Sequence, residues 1–234
     1  MSNGRKKVVA LFALVVLLML QGCGADGGDE SGRAHVNQES GSTNGAVLDE
    51  RVGTVPAPAK KIDLTKAADA ANCYLLRNVP AGDDKDIAAD APAPKYSTDP
   101  PLSGSHVAPP HQQADGAYLV MPDESTTVAS LNHGRMTVQY APDLPEEIQL
   151  ELKGLYNTMY GGTLFFPNGA MNYAVAITTW GNLLGCTAYE GAATLNAIRA
   201  FGRATWGKSG DVPVGKFPVE GPTPASPEES GAAE

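Results

Sequence analysis

Histidine, cysteine and aromatic side chains are scarce in this chain. Its 234 residues hold four histidines and three cysteines, and aromatics make up 6%. No C-x-x-C pair occurs, which speaks against a thioredoxin-like or zinc-ribbon thiol site. There is no glycine-rich phosphate loop, no dinucleotide fingerprint and no pair of metal ligands at helical spacing. Basic residues are outnumbered, 17 Lys+Arg against 26 Asp+Glu. With no basic stripe, nucleic-acid and nucleotide partners are not expected. Nor is any apolar run as long as the roughly 20 residues a helix needs to cross hydrocarbon.

A shorter apolar run does open the chain. Arg5, Lys6 and Lys7 precede "VVALFALVVLLML", Val8 to Leu20, which has the length of a secretory h-region. It ends in "LQGC", which resembles a bacterial lipobox. That resemblance implies cleavage after residue 22 and a diacylglycerol thioether on Cys23. Two acyl chains anchor stably where one holds only marginally. The expected location is therefore the cell membrane, lipid-anchored and facing the extracytoplasmic side. Loss of residues 1–22 removes three of the 17 positive charges and no negative ones, leaving 14 against 26, a formal charge of −12. An acidic surface of that size does not favour lying flat on anionic lipid.

Residues 23–60 are rich in Gly, Ser, Asp and Asn and poor in large apolar side chains, so their composition predicts a flexible tether. Residues 218–234 read as a second disordered segment, rich in Pro, Ser and Glu. Between them, 61–217 has the size of one domain. Asp63 caps a short helix in "DLTKAADAANC", and a loop rich in Pro and Asp follows over 79–110. "GAYLVM" and "GRMTVQYA" read as strands. "DLPEEIQLELKGLYNTMYGG" is the clearest helix, with a box formed by Asp143 and Glu146, a stripe of Ile148, Leu152, Leu155 and Met159, and a stop at Gly161. "TLFFPNGAMNYAVAITTWG" reads as two strands. "GAATLNAIRAFGRATW" forms a last helix burying Leu195, Ile198 and Phe201. This order predicts an α+β fold, a mostly antiparallel sheet with helices packed on one face.

With Cys23 lipidated, Cys73 and Cys186 remain as an even pair in an oxidising compartment, which favours a structural disulfide over a redox or metal-binding pair. The pairing would clamp the end of the first helix to the segment before the last one.

Four stretches carry a wider resemblance: "DPPLSGSH", "GAYLV", "SLNHGRMTVQY" and "ITTWGNLLGC". Together they resemble the bacterial family called domain of unknown function 3105, whose members are exported or membrane-anchored and have no established activity. Pro100, Pro101, Ser103, Gly104 and His106 match its first motif, and Leu131, His133 and Gly134 its second, which the family pattern places at the opening of a strand. The family's other histidine falls on Ala129 and its glutamate on Asn132, so two potentially chemical side chains are replaced.

Three kinds of chemistry remain to be weighed. His106, His133 and His111 with Met136, and Met121 nearby, offer imidazole and thioether, a set that suits copper. The plainer account has the methionines in the core and the histidines bracing loops. Ser103 with His106 or His133 and an acid, Asp99 or Asp123, supplies the parts of a hydrolase but no recognised nucleophile turn. Without a complete catalytic set, a membrane-tethered binding or envelope-interaction module is the leading expectation. Tyr156, Tyr160, Phe165, Phe166 and Tyr173 are its candidate contact or core aromatics.

Overall fold

The computed structural model describes residues 41–159 and 162–207. The expected signal peptide, Cys23, His35, Tyr160, Gly161 and the expected C-terminal tail lie outside them. Four helices and eight strands follow in order: α1 (Leu64–Ala70), β1 (Cys73–Leu76), β2 (Asp86–Ile87), β3 (His106–Val107), β4 (Gly116–Ala117), α2 (Glu124–Asn132), β5 (Met136–Tyr140), α3 (Glu146–Asn157), β6 (Thr163–Pro167), β7 (Val175–Thr179), β8 (Asn182–Cys186) and α4 (Ala192–Thr205). Six strands form one sheet in the order β1-β8-β7-β5-β6-β4, while β2 and β3 pair separately. The first three neighbours pair antiparallel, and β6 pairs parallel to both β5 and β4. The α+β class is thus as the sequence predicts.

Strand periodicity divides the buried side chains between two faces. Met136, Val138, Tyr140, Phe165, Ile177 and Leu184 turn to one face and pack there with Leu64, Leu152, Leu155, Leu195, Ile198 and Phe201 of α1, α3 and α4. Tyr140 and Phe165 stack with ring centroids 4.9 Å apart. The alternate residues turn the other way, where Ala176 and Leu183 meet Leu102 of the long loop. Thr137, Gln139 and Thr178 on this second face are buried as well and satisfy one another. The Thr137 and Thr178 hydroxyls lie 2.6 Å apart, Gln139 Nε2 donates to Thr137 Oγ1, and Asn168 Nδ2 donates to Gln139 Oε1. Each bond offsets the cost of taking a polar group out of water.

Several local expectations change. Residues 42–60 do not behave as tether; they run along the domain as a strap. Ser42 bridges Gln113 and Leu48 bridges Tyr118. Asp49 is fully buried against Arg51, and Thr54 donates its backbone N–H to the Leu150 carbonyl. Further along, Arg199 Nη2 donates to the Ala57 carbonyl at 2.7 Å. Composition missed this because the strap is held by backbone and polar contacts rather than by large apolar residues.

Asp63 caps α1 as expected, accepting from Thr65 N–H and Lys66 N–H. However, Cys73 opens β1 rather than ending that helix, and Cys186 closes a further strand, β8. The expected box at α3 is not made: Pro145 occupies the N-cap with no side-chain bond, so Asp143 and Glu146 do not cap it. Most unexpected is α2, which lies on the sheet's second face near Gln139 and Phe166.

Candidate functional site

The motif loop, α2 and the β7–β8 turn meet over the second face. Leu102 is buried on Ala176 and Leu183, and its carbonyl accepts from Gly181 N–H at 2.9 Å. Its neighbour Pro101 lies over Gln139 and Phe166 beside α2. The Pro-Pro-x-Ser-Gly-x-His stretch therefore acts as a cover whose apolar residues point inward.

His106 holds the far end of that cover. It is 4% exposed, paired with Asp86 in the small sheet, and its ring meets Trp180 edge-on with centroids 5.7 Å apart. Nδ1 donates to the Gly104 carbonyl at 2.8 Å, which fixes a proton on that nitrogen. Asp84 and Asp86 stand 3.6 and 3.9 Å from its ring nitrogens. Here the first motif contacts the Trp-Gly segment.

The second motif ends a helix rather than opening a strand. "ASLNH" is the C-terminus of α2, with His133 at the C-cap donating its backbone N–H to Ala129. Gly134 follows at φ 78°, a conformation glycine adopts without strain, and the chain turns into β5. The His133 carbonyl accepts from Arg135 Nη1 at 2.8 Å, and Arg135 Nε reaches buried Asp115 at 3.2 Å. Ala129 and Asn132 are both buried within α2.

Of the candidate metal ligands, Met136 and His111 lie in surroundings different from those of His106. Met136 is fully buried in the core on the helix-covered face, opposite the one the motif loop covers. His111 is exposed, and its carbonyl accepts from Asn44. Met121 packs beside Tyr118 and Phe166. Among the described residues, no group of three or more His, Cys, Asp or Glu side chains converges on a point where an ion would sit. The Met136 thioether thus lies in the helix-covered core, while His106 is held by the motif loop and Trp180.

The hydrolase parts are likewise engaged elsewhere. His106 Nδ1 faces Gly104 and not the Ser103 hydroxyl. Asp123 caps α2, accepting from Ser125 N–H and Oγ at 2.8 and 2.6 Å. Beside it, Glu124 is pushed above the usual carboxylate range by burial and then by the charges of Asp99 and Asp123. Ser103 and Gly104 instead line a shallow polar cleft of about 320 Å³ with Lys95 and Tyr96. Tyr156, Phe165 and Phe166 are core, so of the candidate aromatics Tyr173 alone reaches a surface cleft among the described residues.

Cys73 and Cys186 are bonded, with sulfurs 2.08 Å apart, and stand opposite each other in register on β1 and β8.

With these placements the family comparison can be read on the fold. The family model for a protein of unknown function, DUF3105, matches residues 90–213, more than half of the chain. The chain belongs to the DUF3105 family. The DUF3105 match spans the motif cover, β3, the helices α2 to α4 and the strands β4 to β8 of the main sheet. It begins after α1, β1 and the strap, which nevertheless complete the same core. No curated protein and no solved structure matches the chain.

Proposed function

We propose that this DUF3105 member is a lipid-anchored extracytoplasmic domain that binds a component of the cell envelope. The observation that carries the reading is the Cys73–Cys186 bond. It takes up two of the three cysteines and fits an oxidising compartment. Cys23 is then the one thiol left in the sequence, and it directly follows the apolar run and the lipobox-like "LQG". Binding is favoured over catalysis because the motif side chains build a cover and His106 Nδ1 pairs with the Gly104 carbonyl and not with Ser103.

The test has two parts. Metabolic labelling with a palmitate analogue should mark the chain, and Cys23→Ser should abolish both the label and recovery in the membrane fraction. Unlabelled wild-type chain recovered in the soluble fraction would refute the anchor. For the binding role, cross-linking in intact cells should capture envelope material on the wild-type chain. Capture no greater than on an unrelated lipoprotein would refute it.

A further inference from the structure

The second face of the sheet carries a surface feature that the motif cover does not use. Tyr74 of β1 stands opposite Gly185 of β8. Gly185 has no side chain, and the Tyr173 ring fills the place: a Cβ there would lie 2.7 Å from its Cδ1 and Cζ. Directly opposed residues project on the same face about 5 Å apart. Tyr74 and Tyr173 therefore lie side by side above the Gly185 backbone. Tyr74 is 56% exposed and is the one aromatic among the large exposed hydrophobic residues described. Tyr173 is half-buried, and its phenol is raised by burial first and then by the proximity of Tyr74 and Asp99.

Two open clefts flank this pair. One, of about 470 Å³, is lined by Tyr173, Asn172, Asp143 and Thr187 among others. The other, of about 430 Å³, is lined by Tyr74, Asn72 and Thr187. Thr187 lines both, so the clefts are neighbours on either side of it. Asn72, Asn172, Asp143 and Thr187 are all exposed. The Cys73–Cys186 bond lies directly beside Tyr74 and Gly185 and stiffens the floor, which lowers the ordering cost of binding.

This arrangement selects among ligand classes. The clefts are open and polar, unlike the enclosed apolar pockets that hold lipids or drug-like molecules. No Lys or Arg lines either cleft, so a phosphate or other anion finds no counter-charge. An exposed tyrosine close to a half-buried one, with amide, hydroxyl and carboxylate groups in the clefts around them, suits a pyranose chain. The C–H face of one sugar lies on a tyrosine ring, while equatorial hydroxyls reach the flanking side chains. We propose that the Tyr74–Tyr173 platform binds an uncharged glycan chain, an inference that rests on the binding-module reading and names its ligand class.

The full chain, solubilised with its anchor, is titrated with the N-acetylglucosamine tetramer, cellotetraose and maltotetraose by calorimetry and NMR. At least one tetrasaccharide should bind and shift the resonances of Tyr74, Tyr173 and Thr187. Tyr74→Ala should weaken that affinity about tenfold or more while leaving the melting temperature unchanged, because the ring is exposed. Tyr74→Trp should retain binding. Failure of all three sugars to bind, or affinity unaltered in Tyr74→Ala, overturns the proposal. Envelope capture that persists in Tyr74→Ala would leave the binding module standing and remove only its glycan assignment.

Discussion

Replacing Gly154 by alanine asks whether the strap is part of the fold. On a bare helix surface this change stabilises, by about 1 kcal/mol, since alanine is the better helix former. Here Gly154 lies on α3 directly beneath the strap. A Cβ on it would fall on the Thr54 carbonyl, and a Cβ on the preceding strap residue, Gly53, would in turn meet the Gly154 backbone. The obstacle is strap backbone, so no side chain can swing away. The strap must lift, releasing the Thr54–Leu150 hydrogen bond and uncovering Lys153, which is fully buried next to Asp49 and Arg51. Overpacking costs about 1–3 kcal/mol, and losing one hydrogen bond about 1 kcal/mol more. After subtracting the propensity gain, Gly154→Ala should destabilise by about 1–3 kcal/mol. For a chain of this size that lowers the melting temperature by about 2–4 °C per kcal/mol. Urea denaturation of both proteins decides the matter through the sign. A variant more stable than wild type would show that the strap is a loose tether and that this account of residues 42–60 is wrong.

Two further outcomes follow from the same packing. Cys73→Ser opens a covalent loop of 113 residues and should remove up to about 4–5 kcal/mol in the chain-entropy model, measured by denaturation against oxidised wild type; equal stability of wild type with and without reductant would contradict it. Glu124 holds its proton more tightly folded than unfolded, because of burial and of Asp99 and Asp123. Its contribution is then favourable below the ordinary carboxylate range and is lost as pH rises through the elevated folded value. Glu124→Gln should accordingly exceed wild-type stability at neutral pH and lose that advantage on acidification, and a difference independent of pH would refute the assignment.

How much the sequence discloses depends on which force holds each element. Helices α1, α3 and α4 are legible because each buries one apolar stripe against a sheet, and the stripe survives as 3.6-residue periodicity. Helix α2, "ESTTVASLN", has no such stripe. Covered by the motif loop on one side and the sheet on the other, it buries Ser125, Thr126, Thr127 and Ser130 along with Val128 and Leu131. Those hydroxyls return to the backbone: Thr126 and Thr127 donate to the Asp123 carbonyl and Ser130 to the Gln113 and Thr126 carbonyls. Its readable signals were its ends, a capping Asp123 and the terminating Gly134. Strand β8 was hidden similarly, since "NLLGC" is too short for periodicity to speak, although Gly181 before it, at φ 70°, is a turn signal.

The site residues fared differently from the elements for a related reason. A motif identifies residue types that occur together and is silent on which way they point. His106 was singled out for a lone pair, yet in the fold it is used for its flat ring against Trp180 and its N–H to Gly104, which holds the loop down. Pro101 and Leu102 close the space above Gln139 and Ala176. The tyrosine pair escaped notice because Tyr74 and Tyr173 are about a hundred residues apart in sequence and are joined only through the absent side chain of Gly185. A contact made possible by a missing Cβ leaves no trace in composition or spacing and becomes visible only once strand register is known. The family motif thus explains how the second face is sealed. The part of that face left open at β1 and β8 carries the tyrosine pair, with Tyr74 before the residues matched to the family and Tyr173 and Gly185 within them.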